Sequence, residues 1–105
     1  MATVIYTTLP NAKITKQITD KLLQEKLVGC VVALQGKSTY NWRGKREQAS
    51  EKIVFLKTTT KQASRAAKRL AELHPYEVPC ILRFNTKANA SYEQWLGKET
   101  TGRKR

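Results

Sequence analysis

Acidic side chains are scarce in this sequence. Its 105 residues hold eight Asp and Glu against 20 Lys and Arg, a formal net charge of +12, and the only aspartate is Asp20. The chain also has one histidine (His74), two cysteines (Cys30 and Cys80), three prolines and five glycines. Each scarcity excludes something. A Ser/His/Asp arrangement needs an aspartate beside His74, and Asp20 falls on the exposed side of the first expected helix. Two cysteines are too few for a disulfide framework. Both sit in apolar, strand-like runs, which predicts reduced core residues and leaves a Cys/His nucleophile pair only buried, unactivated thiols to draw on. No glycine-rich phosphate loop exists, and no CxxC or His-x-x-x-His spacing offers a preformed metal site. The carboxylates Glu47 and Glu51 are expected to be solvated in a loop. No apolar run approaches the roughly 20 residues that span a bilayer. The opening stretch MATVIYTTLPNAK lacks the features of a secretory signal and reads as a strand. The expectation is a soluble, cytoplasmic protein without enzymatic activity.

What is present is the patterning of one domain over residues 1–99, with a basic, disordered tail over 100–105. Thr3–Thr8 is β-branched and aromatic, and Asn11 is placed to cap a helix over about Ala12–Leu27. That helix carries one stripe of Ile14, Ile18, Leu22, Leu23 and Leu27. Cys30–Leu34 is a continuous apolar run, as in a strand covered on both faces, and continues extended to Trp42. Arg43-Gly44-Lys45 marks a turn into a strand over Lys52–Thr58. Thr59 or Thr60 can cap a second helix, whose Ala63, Ala66, Ala67, Leu70 and Leu73 form another stripe ending at Pro75. Val78–Phe84 reads as a last strand, with Pro79 suited to an edge. Tyr92, Trp95, Leu96 and Glu99 outline a short C-terminal helix. The order β-α-β-β-α-β plus a helix predicts an α+β, ferredoxin-like plait, with both helices on one face of an antiparallel sheet. The other face then lacks cover, which points to another subunit.

The basic residues are spread over every segment, and only Gly102-Arg103-Lys104-Arg105 forms a run. An RNA-recognition module of the same topology would need stacked aromatics and a glycine on its third strand. Glu51–Thr58 has one aromatic and no glycine, so sequence-specific nucleic-acid binding is not expected. Non-specific attraction to polyanions or acidic proteins is.

Several local segments remain. Tyr6–Asn11, Glu25–Val31, Tyr40-Asn41-Trp42-Arg43-Gly44-Lys45, Leu56-Lys57-Thr58, Leu73-His74-Pro75-Tyr76-Glu77-Val78-Pro79 and Ser91–Leu96 occur in this order. Together they resemble the CutA family of divalent-cation-tolerance proteins, from about Val4 to Trp95. The resemblance implies a ferredoxin-like homotrimer, similar in architecture to the PII signalling proteins. It also implies a link to copper and other divalent metals, with no enzymatic activity and no required cofactor. On that basis Trp42, Lys57, His74, Tyr76 and Glu77 are expected to line the cleft between subunits. The soft and borderline ligands available to weakly bound copper are Cys30, His74 and Cys80. Lys57 should meet a carboxylate, with Glu77 the candidate. His74 is either a cation at a helix C-terminus or part of the cleft's polar lining, and Trp42 and Trp95 are packing residues. The family usually has Trp-Glu-Gly-Lys where this chain has Trp42-Arg43-Gly44-Lys45. It has acid-rich loops where this chain has 46–51 and 85–90, and commonly a glutamate at Cys80. Acids are missing at expected surface positions while the apolar pattern is intact, the mark of either a positively supercharged engineered variant or a naturally basic homologue.

Overall fold

The alternation of β-branched strands and amphipathic helices is realised in the computed structural model, which describes residues 1–101. The elements are β1 (Ala2–Leu9), α1 (Ala12–Gln24), β2 (Cys30–Trp42), β3 (Lys45–Thr59), α2 (Ala63–Leu73), β4 (Ile81–Thr86) and α3 (Ala90–Glu99). One antiparallel sheet has the order β2-β3-β1-β4, the plait expected from the element order. Asn11 caps α1 as predicted, its side chain accepting from the Ile14 N–H at 2.8 Å. The helix stops at Gln24, three residues short of the predicted end, and Lys26 adopts a left-handed φ of 59°. The residue before Ala63 is Gln62, whose own side chain makes no cap. The Thr59 hydroxyl accepts from the Gln62 N–H instead, so the predicted threonine acts one step earlier.

Strand alternation divides the sheet into two unlike faces. Ile5, Leu9, Val54 and Leu56 point toward the helices and pack with Ile18, Leu22, Ala66 and Leu70 as the core. The register Ile5↔Leu56 and Thr7↔Val54 holds these side chains on one face. The intervening residues Tyr6, Val32, Leu34, Phe55, Leu82 and Phe84 point the other way. There Val32, Leu34, Leu82 and Phe84 are 42%, 46%, 46% and 53% exposed. The apolar run at Cys30–Leu34 is therefore an edge strand with one open face, where cover on both faces was expected. Its apolar character is not satisfied within one chain.

β2 and β3 continue past the body of the sheet as a long ribbon closed at Arg43-Gly44, both with positive φ (51° and 81°). Gly36 lies where this ribbon leaves the sheet. A Cβ there would come within 2.3 Å of the Ile53 Cδ1, so only hydrogen leaves room for the isoleucine. The last strand starts at Ile81, three residues later than predicted. Pro75 and Pro79 hold residues 74–80 as a connecting segment, outside the ladder. The predicted disordered tail is shortened from the front: Thr100 is buried, and its hydroxyl donates to the Leu96 carbonyl at 2.6 Å. Residues 102–105 of that tail lie outside the described residues.

Candidate functional site

Glu51, expected to be a solvated loop carboxylate, is instead buried on β3 at the root of the ribbon. It stands opposite Gly36 in the ladder, which brings Ser38 diagonally beside it. The Ser38 hydroxyl donates to one carboxylate oxygen, and the Tyr76 hydroxyl donates to the other at 2.5 Å. Burial and the neighbouring carboxylate push the Tyr76 phenol well above its ordinary value, so it stays a proton donor. Nothing local in the sequence marks Glu51 as buried. It sits in a polar, charged stretch that reads as solvated.

Next to this group lies His74, which ends α2. Its Nδ1 accepts from the Tyr76 N–H at 3.3 Å, which places the ring proton on Nε2. Nε2 donates to the Thr8 carbonyl at 3.0 Å and lies 3.0 Å from the Thr7 hydroxyl, which itself donates to the Cys80 carbonyl at 2.7 Å. Burial lowers the imidazole pKa from 6.5, outweighing the Thr8 bond and the Glu51 charge, which act upward. His74 is therefore neutral near pH 7, which corrects the helix-terminal cation. The Tyr76 ring lies 4.9 Å from the His74 ring, so the segment 74–80 is fastened to β1 through histidine and to β3 through tyrosine.

The expected Lys57–Glu77 pair does not form. Glu77 meets Arg43 of the ribbon turn at 3.3 Å, on the exposed surface. The Arg43 guanidinium also lies 5.2 Å from the Trp42 ring centre. Lys57 is on the open face of β3, opposite Cys30, and its ammonium lies 5.9 Å from the Tyr92 ring of α3. The five expected cleft residues thus separate in one chain. Trp42, His74, Tyr76 and Glu77 surround the root and turn of the ribbon, while Lys57 lies with Cys30 under α3. Trp42 and Trp95 are 37% and 43% exposed, so neither is core packing within one chain.

The metal-ligating set fares similarly. Both cysteines are free thiols, but Cys80 is exposed and Cys30 half-buried, so neither is the core residue that was expected. Cys80 lies next to the short edge strand β4, whose side chains from Leu82 to Thr86 are all exposed. Among the described residues no three His, Cys, Asp or Glu side chains gather into a cluster able to hold a metal ion. His74 has both ring nitrogens engaged by the protein. Cys30, His74 and Cys80 do not fit a copper site within one chain.

Comparison with known proteins decides the family. The family model described as "CutA1 divalent ion tolerance protein" matches residues 3–99. The chain belongs to the CutA1 family. It is 35% identical over 98 residues to the divalent-cation tolerance protein CutA of Pyrococcus horikoshii, covering 92% of this chain and 96% of that one. It is 34% identical over 104 residues to the Thermus thermophilus protein of the same name, covering 97% and 100%. The crystal structure of CutA1 from Pyrococcus horikoshii superimposes with a TM-score of 0.91 at 33% identity, over 94% of this chain and 98% of that one. A CutA from Archaeoglobus fulgidus, described as periplasmic, gives a TM-score of 0.91 at 28% identity, over 95% and 99%. CutA1 membership agrees with the plait and with the segments quoted above. No helix among the described residues is long and apolar enough to cross a membrane.

Proposed function

We propose that this CutA1-family chain acts as a homotrimer in divalent-cation tolerance, chiefly toward copper, without catalysis and in the cytoplasm. The observation that carries the trimer is the open sheet face, where Val32, Leu34, Leu82 and Phe84 stand exposed beside Tyr6 and Phe55. An apolar face of this kind is a contact surface. The ribbon projecting beyond the sheet supplies further edge for pairing between copies, as in the PII-like architecture that the resemblance implies. The cleft residues Trp42, His74, Tyr76 and Glu77 are then lined up along that ribbon. Two free thiols, one of them exposed, suit a reducing compartment. Copper contact falls to Cys30, Cys80 and His74, pooled from different subunits, and is weak because no one chain assembles them and His74 must give up a ring hydrogen bond to take part. Light scattering at 0.3 M salt and micromolar concentration tests the reading. A mass of three chains is expected, and a monomer overturns it. A tight Cu(II) site that survives replacement of Cys30, His74 and Cys80 together would refute the ligand assignment.

A second reading is charge-driven capture of polyanions or acidic proteins by the same scaffold. Exposed cations on and beside both helices favour it: Lys13, Lys16 and Lys21 on α1, Lys61 before α2, then Arg65 and Lys68 on it.

A further inference from the structure

Several of the cations that look evenly scattered in the sequence share one layer of the fold. α1 buries Thr15, Ile18, Thr19 and Leu22, and α2 buries Ala63, Ala66 and Leu70, all against the same sheet face. Lys13, Lys16, Lys21, Arg65 and Lys68 are consequently exposed on the outer side of one helix layer. Arg83 of β4 leans to the same side and donates to the Ser64 hydroxyl at 3.1 Å.

The carboxylates of this layer are already engaged. Asp20 is held by Lys16 at 2.9 Å, while Glu25 and Glu72 are held by Arg69 at 2.9 and 3.3 Å. The Arg69–Glu25 bridge also joins α2 to the end of α1. Lys13, Lys21, Lys61 and Lys68 make no ion pair among the described residues.

We infer that the outer surface of the α1–α2 layer is a landing plate for the phosphate backbone of duplex nucleic acid; this rests on the charge-driven reading above. Three observations select that partner. The plate carries no exposed aromatic ring, so it has no platform on which unpaired bases could stack. Its one exposed large apolar side chain is Leu23, too little to wedge into a lipid surface. Lys13 and Lys21 are separated along α1 by about 12 Å at 1.5 Å per residue. That span matches the roughly 12 Å width of the major groove, so two cations of one helix can meet phosphates on its two sides. The apolar face lies on the opposite side of the sheet, so self-association through it leaves the plate outward. Lysines contact phosphates as point charges, so contact through them carries no base sequence.

Anisotropy titration of the full chain with two unrelated 20-bp duplexes between 50 and 300 mM salt is the test. One variant combines Lys13→Gln, Lys21→Gln and Lys68→Gln; a second combines Lys45→Gln, Lys87→Gln and Lys98→Gln and has the same net charge. The plate variant should lose at least tenfold in affinity at 50 mM salt. Its log–log salt slope should be shallower by nearly 3, at about 0.9 per lost phosphate contact. The control variant should stay within threefold of the parent. Equal losses in both variants overturn the plate and leave only diffuse charge. No duplex binding by the parent at 50 mM salt overturns the charge-driven reading itself. Tighter binding to anionic lipid vesicles or to an acidic protein overturns the nucleic-acid assignment. A preference above tenfold between the two duplexes overturns backbone-only contact.

Discussion

At the residue scale, one buried carboxylate organises the surroundings of the 74–80 segment. Glu51 is acceptable inside the protein because Ser38 and Tyr76 donate to its two oxygens. Replacing Tyr76 by Phe keeps the ring but leaves one buried oxygen without its donor. Tyr76→Phe should therefore cost about 1.5–3 kcal/mol of unfolding free energy, read as a lower urea midpoint. No change in the midpoint would mean that water replaces the phenol freely. His74 gives a pH dependence of known sign. Burial holds its pKa below 6.5, so the unfolded chain binds a proton that the folded chain refuses. Its contribution is complete above about pH 6.5 and declines as pH falls through that value toward the lowered folded pKa. Denaturant midpoints between pH 7.5 and 5 should fall in the parent and fall less in His74→Gln. As this is the only histidine, no other imidazole contributes. Glu93, whose pKa is lowered chiefly by the Ala88 N–H, loses its contribution in a separate window below pH 4.5.

At the element scale, the long ribbon depends on a glycine. The Ile53 side chain occupies the space above Gly36, so Gly36→Val must displace it or bend β2. Overpacking of this kind costs about 1–3 kcal/mol and should appear as a lower thermal midpoint. Gly44→Ala is a useful contrast. A Cβ there meets nothing within 4 Å, and any cost comes from the φ of 81° alone. For α1, Asn11→Ala removes the acceptor of the Ile14 N–H and should cost about 1 kcal/mol. An unchanged midpoint would show that the Asn11 carbonyl, which accepts from the Thr15 N–H and hydroxyl, suffices by itself.

At the scale of the whole molecule, two opposite faces differ in chemistry. The sheet's open face is apolar and the helix layer is cationic. Leu34→Lys with Phe84→Lys puts two ammonium groups on the open face and should shift the light-scattering mass of the proposed trimer toward one chain. Secondary structure should be retained, because neither residue belongs to the core. A mass that stays at three chains would place the contact surface elsewhere. Because every copy carries +12, assembly of the parent should strengthen as salt rises from 0.02 to 0.3 M, opposite to the trend expected for binding to polyanions.

Sequence alone determined the plait. Periodicity, caps and breakers are local, so β1, α1, the long hairpin, α2 and α3 are all legible in it, as are the family segments from Tyr6 to Trp95. Side-chain partners are not local, and there the tertiary structure decided. Only the β2–β3 register could show Glu51 beside Ser38, because a ribbon position is polar in sequence whether it faces solvent or another strand. Only the packing of residues 74–80 onto β1 could show that the His74 ring is neutral, since burial is the largest influence on its pKa. The Lys57–Glu77 pairing failed for the same reason. Strand alternation turns Lys57 toward Tyr92, while the ribbon turn carries Arg43 to Glu77 from 34 positions away. That Lys13, Lys21 and Lys68 share one helix layer is likewise a product of two helices sharing one sheet face. One-dimensional spacing records which residues share an element's face, and three-dimensional packing records what that face meets.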